Sequence, residues 1–468
     1  MRKLPLIISI VAFLYVLIRV FTVALTYDEG WTYFEYVQYP VNLIVSGYSP
    51  RANNHILNTL LTKFFCLFST HQFALRLPNL LAFALYLYAA NKIATTLFKK
   101  PLMQATLVLC LITNYILLEF FGLSRGYGLG IGCMLYSIYQ LLQYYNTTNK
   151  KHLHYAFIFA IAATYANFSI LNAAAGIFLC GVWVRYHHEH KFFHALKLPI
   201  LYGLALLLLC AYPIWCLMQA HELYYGGSNN FITDTLSSML IEYIGYGLFT
   251  SNPNVSITLL IAALVIAALY TVIRTVKTKN IIFALPATIL LTAIALVHIQ
   301  FYALNSLLPI SRTALYLYPL MILTLFCAIA FIYDQHPRTA ITIGCLFAVF
   351  NIYVFGPNAN LYRTREWWDE AYTRDILSYI SKDRHDTNRK TAIWGFFPND
   401  NCINYYIERE YNTTMQKMPC CISKLTDINP ADYDYLYLRN TDDLSAHPEF
   451  KSVQTYHDGA FILYKKER

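Results

Sequence analysis

Long apolar runs separated by short polar breaks dominate the first three quarters of the chain. Runs near 4–25, 73–98, 102–120, 127–145, 198–218, 255–275, 281–300, 313–333 and 339–355 are charge-poor and long enough to cross a bilayer as helices. The stretch 152–186 reads either as one overlong helix or as two short ones turning near Tyr165–Ser169. Lys150 and Lys151 precede it, and Arg185, Lys191 and Lys197 follow it. If both flanks face one compartment the segment crosses twice, which gives eleven passes. Beyond Gly356 the pattern changes. A helical stretch runs from Arg365 to Ile380 and another lies near 402–410. Strand-like runs follow at 391–397, 433–438, 453–456 and 460–464, with a turn at His457-Asp458-Gly459. The expected architecture is a polytopic α-helical membrane part over 1–355, with a first extramembrane loop at 27–72, followed by a small C-terminal α/β domain over 356–468.

Composition sharpens this division. The chain is 57% hydrophobic and only 13% charged, against about 25% charged in an ordinary soluble protein. Cut at Gly356, it carries 20 Lys/Arg and 9 Asp/Glu before the cut, and 15 and 17 after it. A cytosolic globular enzyme, a disordered protein and a secreted disulfide scaffold are excluded. The net charge of +9 does not point to nucleic acid, because the membrane-part basic residues sit singly or in pairs between apolar runs, as topology signals do. With the N-terminus cytoplasmic, fourteen basic residues fall on the inner side and five (Arg51, Lys63, Arg76, Arg125 and Arg312) fall outside, so the C-terminal domain is expected outside. The first apolar run has about 20 residues rather than a short signal core, and reads as a retained anchor. Arg19 inside it is expected to snorkel to the outer interface. Eight of the eleven cysteines lie in apolar runs. The other three are Cys402, Cys420 and Cys421, which allow one disulfide and argue against a metal cluster.

Candidate chemistry gathers on the outer side, where Asp28, Glu29, Glu35, Glu119, Glu222, Asp234 and Glu242 fall. Acidic residues clustered at one membrane face line water-filled cavities. Directly after the first helix stands Tyr27-Asp28-Glu29-Gly30-Trp31-Thr32-Tyr33-Phe34-Glu35-Tyr36, whose aromatic positions predict an amphipathic helix along the outer interface. Asp28 and Glu29, being consecutive, point about 100° apart on a helix and cannot do the same job. Then come Asn53-Asn54-His55 and, opening the second long helix, Leu75-Arg76-Leu77-Pro78. Ser124-Arg125-Gly126-Tyr127 and Ser311-Arg312-Thr313-Ala314-Leu315 precede two later helices.

Taken together these elements resemble GT-C glycosyltransferases. The likeness is greatest to the bacterial branch with the lipid A aminoarabinose transferase and the Rgt-type galacturonic acid transferases; protein O-mannosyltransferases are more distant. The resemblance covers most of the membrane part. It implies a GT-C-like fold in a bacterial inner membrane, and transfer of a sugar from a polyprenyl-phosphate donor to a lipid, glycan or protein acceptor at the outer face. It also implies that the first-loop carboxylate, here Asp28, is catalytic. The tail departs from the aminoarabinose transferase in being shorter and rich in Tyr, so the particular substrate does not carry over.

The chemistry is consistent with that implication. A lipid phosphate leaves readily as an anion, so the transfer needs one base for the acceptor and cations for the departing phosphate, without the second carboxylate of a glycosidase. Asp28 is the expected base. Arg76, Arg125 and Arg312 are candidates for the donor phosphate because a guanidinium can bond two oxygens at once; interfacial anchoring is the alternative for each. His55 is a donor-binding residue, a metal ligand or a polar loop residue. Glu29 either binds the donor, ligates a divalent cation, which is the one cofactor considered, or caps a helix. A transporter or flippase of lipid-linked sugars and a polysaccharide polymerase or ligase are the competing readings. The first would show internal repeats, which are not seen.

Overall fold

The structure is a computed structural model that describes residues 1–468 apart from 1–2, 47–49, 245–252, 384–388, 397, 423 and 468; of 253–257 only the backbone is described. The chain forms two compact units. One comprises Met1–Ile18 with Tyr39–Ala359, the other Arg19–Gln38 with Asn360–Arg468.

The first unit is helical. Among the described residues, eight helices are long and apolar enough to cross a membrane: Leu4–Thr22 (whose last turn belongs to the second unit), Gln72–Leu97, Phe168–Glu189, Phe192–Gln219, Thr258–Thr278, Ile281–Leu304, Leu317–Gln335 and Pro337–Asn358. The pair Pro101–Ile112 and Tyr115–Phe121, bent by 74° at its break, makes a ninth if it is one span. The expected count of eleven is therefore not reached on length and apolarity alone. The remaining two helices are Gly126–Thr147, most of it buried, and Lys150–Ala166, with 17 residues. The first is rich in Gly, Gln and Tyr because protein rather than lipid surrounds it. A Cβ on Gly128 would stand 2.3 Å from the Phe120 carbonyl oxygen, and one on Gly132 would stand 2.6 Å from that of Ala82. Small residues of this kind let membrane helices approach closely.

Asparagines place the breaks. Asn167 is extended (φ −155°, ψ 111°) and its Oδ1 accepts the Ser169 N–H at 3.1 Å, so Lys150–Ala166 ends there and a new helix starts at Phe168. The ambiguous stretch 152–186 is thus two helices. Asn114 acts likewise at the bent pair, accepting from Leu117 N at 3.0 Å.

The second unit is α/β. Strands β1 (Thr391–Gly395), β2 (Met415–Gln416), β3 (Tyr435–Arg439), β4 (Phe450–Tyr456) and β5 (Phe461–Lys466) form one sheet in the order β2-β1-β3-β5-β4. β1 runs parallel to β2 and β3, while β5 is antiparallel to β3 and β4. The β4–β5 turn is the expected one, with His457, Asp458 and Gly459 all at positive φ. β2, two residues long, has no periodicity to announce it.

One expectation fails in this unit. Arg19 does not snorkel: it is buried, and its guanidinium donates to the Asn360 carbonyl and to that of Arg363 at 2.9 Å. Those carbonyls satisfy its charge locally, so it has no need of the interface. The first-loop helix buries one face in protein. It runs as α-helix over Tyr27–Thr32 and continues as π-helix over Tyr33–Val37. It packs on the helix Asp400–Tyr406, and a Cβ on Gly30 would meet Asn401 Cβ at 2.9 Å. Tyr33 stacks edge-on against Tyr405 with ring centroids 5.3 Å apart. Glycine is needed at position 30 for that approach.

Candidate active site

In the helical unit the loops preceding helices bring three of the candidate residues together. Arg125 stands at the N-cap of Gly126–Thr147 in extended conformation, is buried, and bonds Asn53 Oδ1. His55 caps the short helix Ile56–Cys66 and lies edge-on to Tyr127, ring centroids 4.9 Å apart. Contact is close because position 126 is glycine: a Cβ there would stand 1.9 Å from the Ala166 carbonyl oxygen and 2.7 Å from His55 Cβ. Burial, then the charges of Arg125 and Arg312, hold the His55 imidazole well below its usual pKa, so it is neutral at physiological pH. Its buried Nε2 has no hydrogen-bond partner.

Arg312 belongs to a 3-10 turn, Ser311–Ala314, and lies over the Tyr225 ring at 4.8 Å. The turn is held by Ser238, whose Oγ accepts the Ser311 N–H at 2.9 Å, and by Glu242, which accepts from Ser311 Oγ at 3.3 Å. Arg76 is fully buried in the first turns of Gln72–Leu97. One turn on, Asn79 ties these loops together. It donates to Asn58 Oδ1 at 2.6 Å and accepts the Leu129 N–H at 2.8 Å. Ser124 meets Thr62 Oγ1 at 3.0 Å. Asn53, Asn79 and Tyr127 were not singled out from sequence. Asn53 and Tyr127 stand inside the quoted motifs without an assigned role, but nothing marks Asn79 in the sequence.

The carboxylates form a second constellation, in the α/β unit. Asp28 is half-buried in Tyr27–Thr32. Glu29 is buried, and its Oε2 accepts from Thr26 N at 3.0 Å and Thr26 Oγ1 at 3.2 Å. That is a complete capping box, the helix-cap alternative among the roles open to Glu29. Glu370 is buried, accepts the Tyr27 N–H at 2.8 Å through Oε2, and leaves Oε1 without a hydrogen bond. Burial first, then the carboxylates of Asp369, Asp28 and Glu29, push the Glu370 pKa well up. Asp400 is also buried. Neither Glu370 nor Asp400 carries a signal in sequence, since each is a single acidic residue in a charged segment. Near Asp400 lie Cys420 and Cys421. All eleven cysteines are free, so the disulfide considered for the tail is not formed.

No protein-family model and no curated protein matches the chain. Solved structures do. The chain is similar to ArnT from Cupriavidus metallidurans bound to undecaprenyl phosphate, with a TM-score of 0.55, 11% identity and coverage of 98% of this chain and 97% of that one. The apo state of the same protein aligns over the same shares at a TM-score of 0.45 and 11% identity. The arabinofuranosyltransferase AftD from Mycobacteria aligns at a TM-score of 0.44 and 12% identity, over 100% of this chain and 42% of AftD. The chain is a polytopic membrane protein with the GT-C fold. Within that fold, the solved structure with the higher similarity of the two named proteins is ArnT, the lipid A aminoarabinose transferase.

Proposed function

We propose that this protein transfers a sugar from a polyprenyl-phosphate donor to a hydroxyl-bearing acceptor on the extracytoplasmic side of its membrane. The observation that carries the reading is the cationic constellation of the helical unit. Arg125 and Arg312 both act on one neutral, buried histidine, in a fold shared with a structure bound to undecaprenyl phosphate. Arg125 is buried and Arg312 half-buried, each at the start of a helical segment where a headgroup could be met. A phosphate headgroup, with oxygens for two guanidinium forks, is such an anion.

In the proposed step an acceptor hydroxyl attacks the anomeric carbon. The bond from that carbon to the phosphate oxygen breaks, and polyprenyl phosphate departs with the electron pair. The hydroxyl proton passes to the Asp28 carboxylate. Arg125 and Arg312 hold the departing anion, with Arg76 as a further candidate. Burial and the neighbouring carboxylates favour the neutral form of Glu370 beside Asp28. The test compares Asp28→Asn with wild type in liposomes containing donor. Turnover should fall about 10²–10⁴-fold with donor affinity retained. Wild-type turnover in Asp28→Asn would place the base elsewhere, with Glu29 or Glu35 next in that segment.

A further inference from the structure

Asp400, Cys420 and Cys421 in the α/β unit offer three ligand atoms that all lie within 4.8 Å of one another. The two sulfurs are 2.8 Å apart. Cys421 adopts a left-handed backbone (φ 65°), which turns the adjacent thiols to the same side. Asp400 is buried and its carboxylate is fixed from behind: Oδ1 accepts the Asn401 N–H at 3.0 Å and Oδ2 accepts the Cys421 N–H at 2.7 Å. Each oxygen keeps a lone pair, while both cysteines are exposed and reachable from solvent.

We propose that these three residues bind a thiophilic divalent cation of the zinc class. Two thiolates and one carboxylate favour zinc or cadmium over magnesium or calcium, which take oxygen ligands alone. Tetrahedral zinc with Zn–S bonds near 2.3 Å sets its sulfurs about 3.8 Å apart, so the pair must part by about 1 Å. Exposed side chains can do so by rotation. Binding releases two thiol protons, so affinity falls as pH is lowered. Three protein ligands leave a fourth position open, the arrangement of an exchangeable rather than a closed structural site. The cation would lie beside the Tyr27–Thr32 helix, because that helix packs on Asp400–Tyr406 with Gly30 against Asn401. The sequence argues against a metal cluster here because three cysteines are too few; the missing ligand is a carboxylate about twenty residues upstream. This inference stands whether or not the chain transfers sugar.

The experiment uses the full chain, reduced and stripped with chelator, titrated with Co²⁺ and then Zn²⁺. One equivalent should bind with a thiolate-to-cobalt charge-transfer band that Zn²⁺ abolishes. Bound metal should protect Cys420 and Cys421 from alkylation while leaving the labelling of Cys66, Cys216 and Cys345 unchanged. Cys420→Ser and Cys421→Ser should each lose the band, and Asp400→Asn should weaken binding at least about 10-fold. Asp400→Asn also alters contacts to the Asn401 and Cys421 backbone, so the exposed cysteine variants keep the test decisive. Absence of the band in wild type, its persistence in either cysteine variant, or recovery of the pair as a disulfide that resists reductant would overturn the proposal.

Discussion

Arg125 carries the most weight of any single cation, because its position is set from two directions, by Asn53 and by the helix start at Gly126. Arg125→Lys keeps the charge but loses the fork. Donor affinity should drop roughly 10- to 100-fold, as for loss of a charged hydrogen bond; unchanged affinity by direct donor titration would return Arg125 to an anchoring role. Glu370 gives a prediction in pH. Its carboxyl ionises near pH 4.3 in an unfolded chain, and burial together with neighbouring carboxylates raises that value in the folded protein. A raised acid contributes stability that is fully present below the unfolded pKa and lost as pH rises through the folded one. Glu370→Gln is neutral throughout, so its melting temperature should exceed that of wild type at pH 7, and the difference should vanish near pH 4. A variant that melts lower at pH 7 would show that the carboxylate is ionised in the folded protein. Glu29→Ala should cost about 1 kcal/mol through loss of the capping box, read as a lower melting temperature.

Helices were largely legible because long apolar runs have few alternatives. The break at Asn167 was legible too, since basic flanks on both sides of 152–186 required a turn. What the pattern hid was location. Tyr27–Val37 has the aromatic spacing of an interfacial helix, yet Gly30 and Tyr33 pack on the Asp400–Tyr406 segment some 370 residues away in sequence. Amphipathicity shows that a face is buried, not what buries it. Arg19 failed for a similar reason, because its partners are backbone carbonyls at Asn360 and Arg363, which no side-chain pattern marks. Of the candidate site, His55, Arg125 and Arg312 were found by motif and come together; Asn79, Glu370 and the Asp400–Cys420–Cys421 group depend on tertiary contacts. Gly126→Ala tests the element that assembles the first group. The new methyl would press on the Ala166 carbonyl and on His55, costing about 1–3 kcal/mol. Thermal unfolding should show that loss together with weaker donor binding. Wild-type stability would mean that the two helices separate freely.

At the scale of the whole molecule, eight long apolar helices among the described residues define a membrane protein and one similarity defines its fold. Folds of this size host several chemistries, so the activity is argued from the charged residues and tested on its own. The most direct measurement incubates purified protein with a panel of polyprenyl-phosphate sugars and an acceptor extract, and quantifies free polyprenyl phosphate. The account predicts that at least one donor releases the lipid phosphate, and that Asp28→Asn slows this by about 10²–10⁴-fold. A donor moved across the bilayer with its sugar still attached, and no release of lipid phosphate from any member of the panel, would contradict it.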